Sequence, residues 1–227
     1  MNRKIFNDLA DYIMDTYGVN IIDADLKDYN NLIDYIDDKV VGTYFSATKP
    51  GEAYWKPDNN WHLKNSGQKL IDRMEKEQWE TWLDVGCGEN KYKRYFGDRV
   101  TGIDPYNELA DIKTDVMSYN PDFQYDIVSA FGSINFGDRA VIEPQVEKVV
   151  SFCKPGGTIF WRCNPGITHD DPDNKAYWID FFEWSEEIIY EFADKFGCTV
   201  EVIKKDNEAD PSTIRYGNRH YSEWTKK

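Results

Sequence analysis

At about 100–200 residues per domain, a chain of 227 residues is one domain with room for an appendage. Its 27 Lys and Arg against 41 Asp and Glu leave a net charge of -14, a field that repels phosphate backbones and anionic membrane surfaces, so nucleic acid is a disfavoured partner. No apolar run approaches the roughly 18 residues that a bilayer span needs, and the start MNRKIFNDLADY has no signal-peptide core, so the chain reads as soluble and cytoplasmic with no membrane partner.

Residues 1–65, rich in Asp, Asn, Ile and Tyr, read as a helical N-terminal extension or cap, with a second unit over 66–227. Ile5, Leu9, Tyr12 and Ile13 fall at helical spacing, as do Leu26, Tyr29, Ile33 and Ile36, with acids on the opposite faces, which predicts two half-buried helices. Thr48 to Asn65 holds two prolines, a glycine and no clear period, and so reads as a loop. Its Tyr54, Trp55, Trp61 and His62 either line the substrate side of a cleft or pack over a sheet edge. A helix then runs from Ser66, its N-cap, through Leu70, Met74 and Trp79.

From Thr81 short apolar runs alternate with helical segments, the pattern of a parallel sheet with crossover helices. Strands are predicted at Thr81–Val85, Arg99–Ile103, Asp126–Ala130 and Thr158–Arg162, with a weak one near Ile112–Thr114. Helices are predicted at Asn90–Phe96, Ile142–Cys153 and Lys175–Phe196, and closing strands at Thr199–Lys204 and Ile214–Thr225. Cys87, Cys153, Cys163 and Cys198 form no C-x-x-C pair and have no His at zinc-ligand spacing, so neither a disulfide framework nor a structural zinc is expected.

The strongest signal is Trp82-Leu83-Asp84-Val85-Gly86-Cys87-Gly88-Glu89-Asn90, an apolar strand running through an acid into a G-x-G turn and a helix. The glycines let the backbone bend sharply and admit a ligand where a Cβ would collide. Eighteen residues after Gly86 a second strand ends in Asp104, whose carboxylate can accept hydrogen bonds from both ribose hydroxyls of a nucleoside. A dinucleotide fold wants a third glycine where Lys91 stands, so that a helix N-terminus can cradle a pyrophosphate.

These residues resemble the class I S-adenosylmethionine-dependent methyltransferases, whose first motif ends in the acid and G-x-G seen as Asp84, Gly86 and Gly88. The second-strand acid matches Asp104, and Asp115-Val116 looks like the pair flanking the adenine. Tyr125 to Ala130 resembles the fourth strand, and Lys154-Pro155-Gly156-Gly157 the turn before the fifth. The resemblance implies a Rossmann-like α/β fold with a seven-stranded, mostly parallel sheet, flanking helices and, here, a helical N-terminal cap. It implies S-adenosylmethionine as cofactor and methyl transfer to an acceptor that the sequence leaves open.

Within that frame Asp84, Gly86, Gly88, Asp104, Asp115, Val116, Ser129 and Phe131 are the expected cofactor-binding residues, with Asn135, Trp55, Trp61 and His62 on the substrate side. His169, in the loop after the fifth strand, has the unperturbed pKa of a general base and is the candidate catalytic residue, against the alternative of a surface histidine beside carboxylates. Asp170, Asp171 and Asp173 read as a solvated loop with a helix cap, not as a metal site. After the fourth strand the chain reads Ala130 to Phe136 in place of the N/D-P-P-Y/F motif of enzymes that methylate planar amino groups, which disfavours adenine as acceptor. The acidic charge favours a small molecule or a protein side chain. A non-catalytic nucleoside-binding module with a protein partner is the alternative reading, and an aminopropyltransferase or NAD oxidoreductase a third.

Overall fold

The computed structural model describes residues 10–15, 67–163, 182–203 and 220–227. In chain order the elements are α1 (Gln68–Met74), β1 (Trp82–Val85), α2 (Lys91–Phe96), a single 3-10 turn (Gly97–Arg99), β2 (Val100–Ile103), β3 (Tyr125–Phe131), α3 (Arg139–Phe152), β4 (Cys153–Cys163), α4 (Glu186–Lys195), β5 (Cys198–Ile203) and β6 (His220–Lys226). Residues 10–15 are also helical.

The strands form one six-stranded sheet in the order β2-β1-β3-β4-β6-β5. The first four run parallel, and β6 is antiparallel to both β4 and β5. The expected seventh strand at Ile112–Thr114 is reduced, among the described residues, to one parallel bridge between Ile103 and Ile112. The reason is local: the N–H groups of Asp111 and Ile112 both turn to the carbonyl of Gly102, which closes a turn where a ladder would spread them over successive residues.

Helices cover both faces, as a parallel sheet requires. On one face Leu70, Ile71 and Met74 of α1 and Tyr92 and Phe96 of α2 pack with Trp79 on Trp82, Val100, Ile127, Phe160 and Tyr221. Trp79 meets Trp82 and Phe96 edge-on at 5.7 and 5.1 Å, contacts each worth about 0.5–1.5 kcal/mol beyond burial. On the other face Val146 and Val149 of α3 and Ile189 and Phe192 of α4 pack with Trp184 on Leu83, Val128, Ile159, Trp161 and Trp224. All four cysteines are free thiols, and Cys153, Cys163 and Cys198 are buried. Burial pushes the Cys153 thiol up to about 12 and raises those of Cys163 and Cys198.

Several boundaries differ from expectation, each for a visible reason. α3 begins three residues early because Asp138 accepts a hydrogen bond from the N–H of Val141. α4 begins at Glu186, not at Lys175, because Ser185 caps it through Ile188 and the N–H of Phe182 is taken by the carbonyl of Asn135; residues 175–181 lie outside the described ones. Trp79 lies beyond α1, with its indole N–H on the carbonyl of Met74, and Gly67 holds the N-cap position next to the expected Ser66, itself outside the described residues. Lys154 to Gly157 forms a bulge within β4: Cys153 pairs Tyr125 and Thr158 pairs Ile127, so four residues stand opposite Asp126 alone. In the 10–15 helix Ile13 is buried, but Tyr12, placed on the same face from its spacing, is 59% exposed. The second N-terminal helix, the loop from Thr48 to Asn65 and the boundary at residues 65 and 66 lie outside the described residues.

Candidate functional site

Asp84, Gly102 and Ser129 lie in register across β2, β1 and β3, one residue short of the sheet's carboxyl edge on β1. From that edge the chain turns through Gly86, Cys87 and Gly88 into α2. The N–H groups of Gly86 and Cys87 both bond to the carbonyl of Ile103, at 2.8 and 3.0 Å, which folds the turn back over the tip of β2. Gly86 and Gly88 have φ of 70 and 53°, the left-handed region where a side chain is strained. Their surroundings differ. A Cβ on Gly86 would collide with the Cβ of Ser133, whose hydroxyl donates to the carbonyl of Val85 at 2.6 Å, whereas nothing lies within 4 Å of the same position on Gly88.

Asp104 completes the turn. Its Oδ2 accepts from the N–H of Gly88 at 3.0 Å, and its Oδ1 from those of Tyr106 and Asn107 at 2.8 and 3.0 Å. A carboxylate offers about four lone-pair positions, so three bonds leave acceptor capacity beside the open face of Gly88. Lys91, where a dinucleotide fold would want glycine, is buried at the start of α2 with its ammonium 3.3 Å from Glu89.

Beneath the turn runs a buried polar line. The indole N–H of Trp82 donates to Ser129 Oγ at 2.7 Å, and that hydroxyl donates to Asp84 Oδ1 at 2.6 Å. Burial, aided by the nearby Asp104 charge, pushes the Asp84 carboxyl up to about 7, while the Ser129 hydroxyl and the Arg162 guanidinium pull the other way. Ser129 is itself fully buried, so it acts on this edge through Asp84 and presents no surface of its own. Phe131, at the tip of β3, packs its ring between Tyr92 and Tyr221 at 5.8 and 6.0 Å.

Of the remaining expected residues, Asp115 uses its carboxylate locally, accepting from the N–H groups of Met117 and Ser118, and Val116 belongs to the apolar core. Asn135 is buried, and its carbonyl ties the segment after β3 to Phe182. Beside that tie Gly137, Asp138, Arg139, Phe182 and Ser185 line a cavity of about 870 Å³. Trp55, Trp61, His62 and His169 lie outside the described residues. Among the described residues no group of three His, Cys, Asp or Glu side chains is arranged to hold a metal, and no helix is long and apolar enough to cross a membrane.

Two residues that the sequence reading passed over belong here. Arg162 is a buried cation at the end of β4, with Nη2 3.4 Å from the carbonyl of Phe131; a charge closing the run Ile159-Phe160-Trp161 at a carboxyl strand end was its signal. Asp111 receives Gly102, Asn90 and Lys93 at once, and no spacing rule announces it.

No protein-family model matches the chain, and no curated protein does. Solved structures do. The N-methyltransferase NodS of Bradyrhizobium japonicum, solved with S-adenosyl-L-homocysteine, aligns with a TM-score of 0.55 at 12% identity, over 75% of this chain and 87% of its own. An S-adenosylmethionine-dependent methyltransferase of Clostridium acetobutylicum aligns at 0.51 and 12%, over 79% and 95%. An amino pentose methyltransferase of Micromonospora echinaspora, solved with S-adenosylmethionine, aligns at 0.50 and 14%, over 77% and 98%. At such identities the likeness speaks for architecture alone: this chain has the fold of the class I S-adenosylmethionine-dependent methyltransferases.

Proposed function

We propose that the chain is a methyltransferase that binds S-adenosylmethionine at the carboxyl edge of β1 and β2. The observation that carries this reading is the contrast within the G-x-G turn. Gly88 faces open space that any side chain would fill, and its N–H is anchored on Asp104, an acid at the place where a nucleoside ribose needs an acceptor. The cofactor supplies a methyl group already activated by a sulfonium centre, so the protein's task is to bind, orient and exclude water. Asp104 holds the ribose hydroxyls, Gly88 admits the nucleoside backbone, and Asp84, whose carboxyl burial pushes up to about 7, adds a negative charge beneath the turn when it ionises. Asp115 and Val116 flank the adenine side.

The acceptor side falls to the segments after β3 and β4. Asn135 and His169 are assigned to it, His169 as the group that takes a proton from the acceptor, with Trp55, Trp61 and His62 on the substrate side. The net charge of -14 supports a small molecule or a protein side chain as acceptor over nucleic acid. Methyl-labelled S-adenosylmethionine added to the purified chain with fractions of cell extract tests this. S-adenosylhomocysteine should form and label should appear in one fraction; calorimetry showing no S-adenosylhomocysteine binding would overturn the proposal.

A further inference from the structure

We propose that Asp111 is a positioning residue for the cofactor turn, an assignment that rests on the methyltransferase reading above. One oxygen of its carboxylate, Oδ2, accepts from the N–H of Gly102 and from Asn90 Nδ2, both at 2.8 Å; the other, Oδ1, lies 2.6 Å from Lys93 Nζ. Its own N–H returns to the carbonyl of Gly102 at 2.9 Å. One side chain thus ties β2, the last residue of the cofactor turn and the first turns of α2.

The tie matters because of what Asn90 must do. It sits at the N-cap of α2 with φ 53 and ψ 49°, a left-handed conformation that Asn adopts more readily than other non-glycine residues when its side chain is held by a local hydrogen bond. Its amide oxygen is buried without a hydrogen-bond partner, so the amide NH2 on Asp111 is what orients the side chain. The same side chain presses on Gly102, where a Cβ would collide with Asn90 Oδ1 and lie 2.7 Å from Cys87 Sγ. Gly88 stands two residues before Asn90, and its N–H must point at Asp104. Releasing Asp111 therefore frees Asn90 to leave the left-handed region and lets the Gly88 N–H swing from the ribose acceptor. The bonds are strong ones: although burial opposes it, the Gly102 N–H, Lys93 and Asn90 together hold the Asp111 carboxyl below the usual carboxylate range.

The sheet contains its own control. Asp126 makes an equally rich set of bonds at the opposite end, to the N–H groups of Glu80 and Thr81, the Thr81 hydroxyl and Lys154, far from the cofactor turn. The experiment measures S-adenosylhomocysteine affinity by calorimetry and thermal midpoint for the full-length wild type, Asp111→Ala, Asp111→Asn and Asp126→Ala, all well below their melting temperatures. Asp111→Ala should bind at least tenfold more weakly, and Asp111→Asn, whose amide oxygen can still accept from Gly102 and Asn90, should recover to within about threefold of wild type. Asp126→Ala should lose as much thermal stability or more while binding within twofold of wild type. Affinity within twofold for Asp111→Ala, an Asn variant as weak as the Ala variant, or an equal loss in Asp126→Ala overturns the assignment. If Asp111→Ala does not fold, Asn90→Gly keeps the backbone conformation and removes the tie: a threefold or greater loss supports the assignment and unchanged affinity overturns it. A wild-type chain that fails to bind overturns the cofactor reading itself, a result distinct from any of these.

Discussion

At the amino end of β1 and β3 a single carboxylate, Asp126, gathers two N–H groups, a hydroxyl and an ammonium, and is held down to about 2 by them despite some burial. At the carboxyl end three carboxylates, Asp84, Asp104 and Asp111, crowd around a turn with three left-handed residues, Gly86, Gly88 and Asn90. One of the three, Asp84, is pushed up to about 7 by burial and the charge of Asp104. The amino end is built for stability: the Asp126 carboxylate is paired with Lys154, and the left-handed residue nearest it is a glycine, Gly156, in the β4 bulge. The carboxyl end accepts strain and like-charge repulsion, the usual mark of a site whose geometry serves a ligand.

The sharpest way to break that contrast is to substitute the two glycines of the turn. Gly86→Val collides with Ser133 and places a β-branched residue at positive φ, so it should cost more than about 3 kcal/mol and appear first as a fall in the thermal midpoint. Gly88→Val has only the strained φ to overcome; the variant should keep a cooperative melt but lose S-adenosylhomocysteine binding in calorimetry, because its side chain occupies the ligand's space. Equal behaviour of the two variants would erase the distinction between a glycine that packs and one that admits a ligand.

A smaller effect is expected at Asp104. Asp104→Ala removes hydrogen bonds to a charged group worth about 1.5–3 kcal/mol, roughly a ten- to 150-fold loss of affinity. It also releases the N–H groups of Gly88, Tyr106 and Asn107, so a modest fall in the midpoint should accompany the loss. Unchanged affinity in a folded variant would remove Asp104 from the site.

The smallest effect is a pH dependence. In the native chain Asp84 holds a proton up to about pH 7, whereas unfolded it releases that proton near its ordinary value of 3.8. Between these values the native state binds more protons, so this group lowers stability as pH rises from about 4 to 7. Asp84→Asn should flatten that slope in urea titrations. A cationic cofactor bound at this edge would favour the charged form of the carboxylate, so S-adenosylmethionine binding near pH 6.5 should release protons, read by calorimetry in buffers of different ionisation enthalpy. The variant should release none.

How far the sequence carries is clearest at β1 and β3, where short, mostly apolar runs set between helical segments, and the G-x-G turn after the first, were legible because strands buried on both faces are rich in apolar residues. Caps set the limits. The start of α4 depends on Ser185 and on a bond between Phe182 and Asn135, 47 positions apart, which no local pattern records. The Pro-Gly-Gly run spelled a turn correctly, but in space that turn is a bulge inside β4, opposite one residue of β3. Within the site Gly86, Gly88 and Asp104 follow from motif spacing, whereas Ser133 and Asp111 arrive through the fold and carry no signature in the chain.

The buried thiols give the molecule a clock. Cys153, Cys163 and Cys198 sit in the face covered by α3 and α4, each with its thiol held in the unreactive protonated form. An alkylating reagent must therefore wait for that face to open, and modification counts the openings. Cys87, beside Gly88 in the G-x-G turn, is only partly covered, although burial and the Asp84, Asp104 and Asp111 carboxylates raise its thiol as well. Its labelling relative to the other three separates breathing of the turn from opening of the sheet within one intact chain.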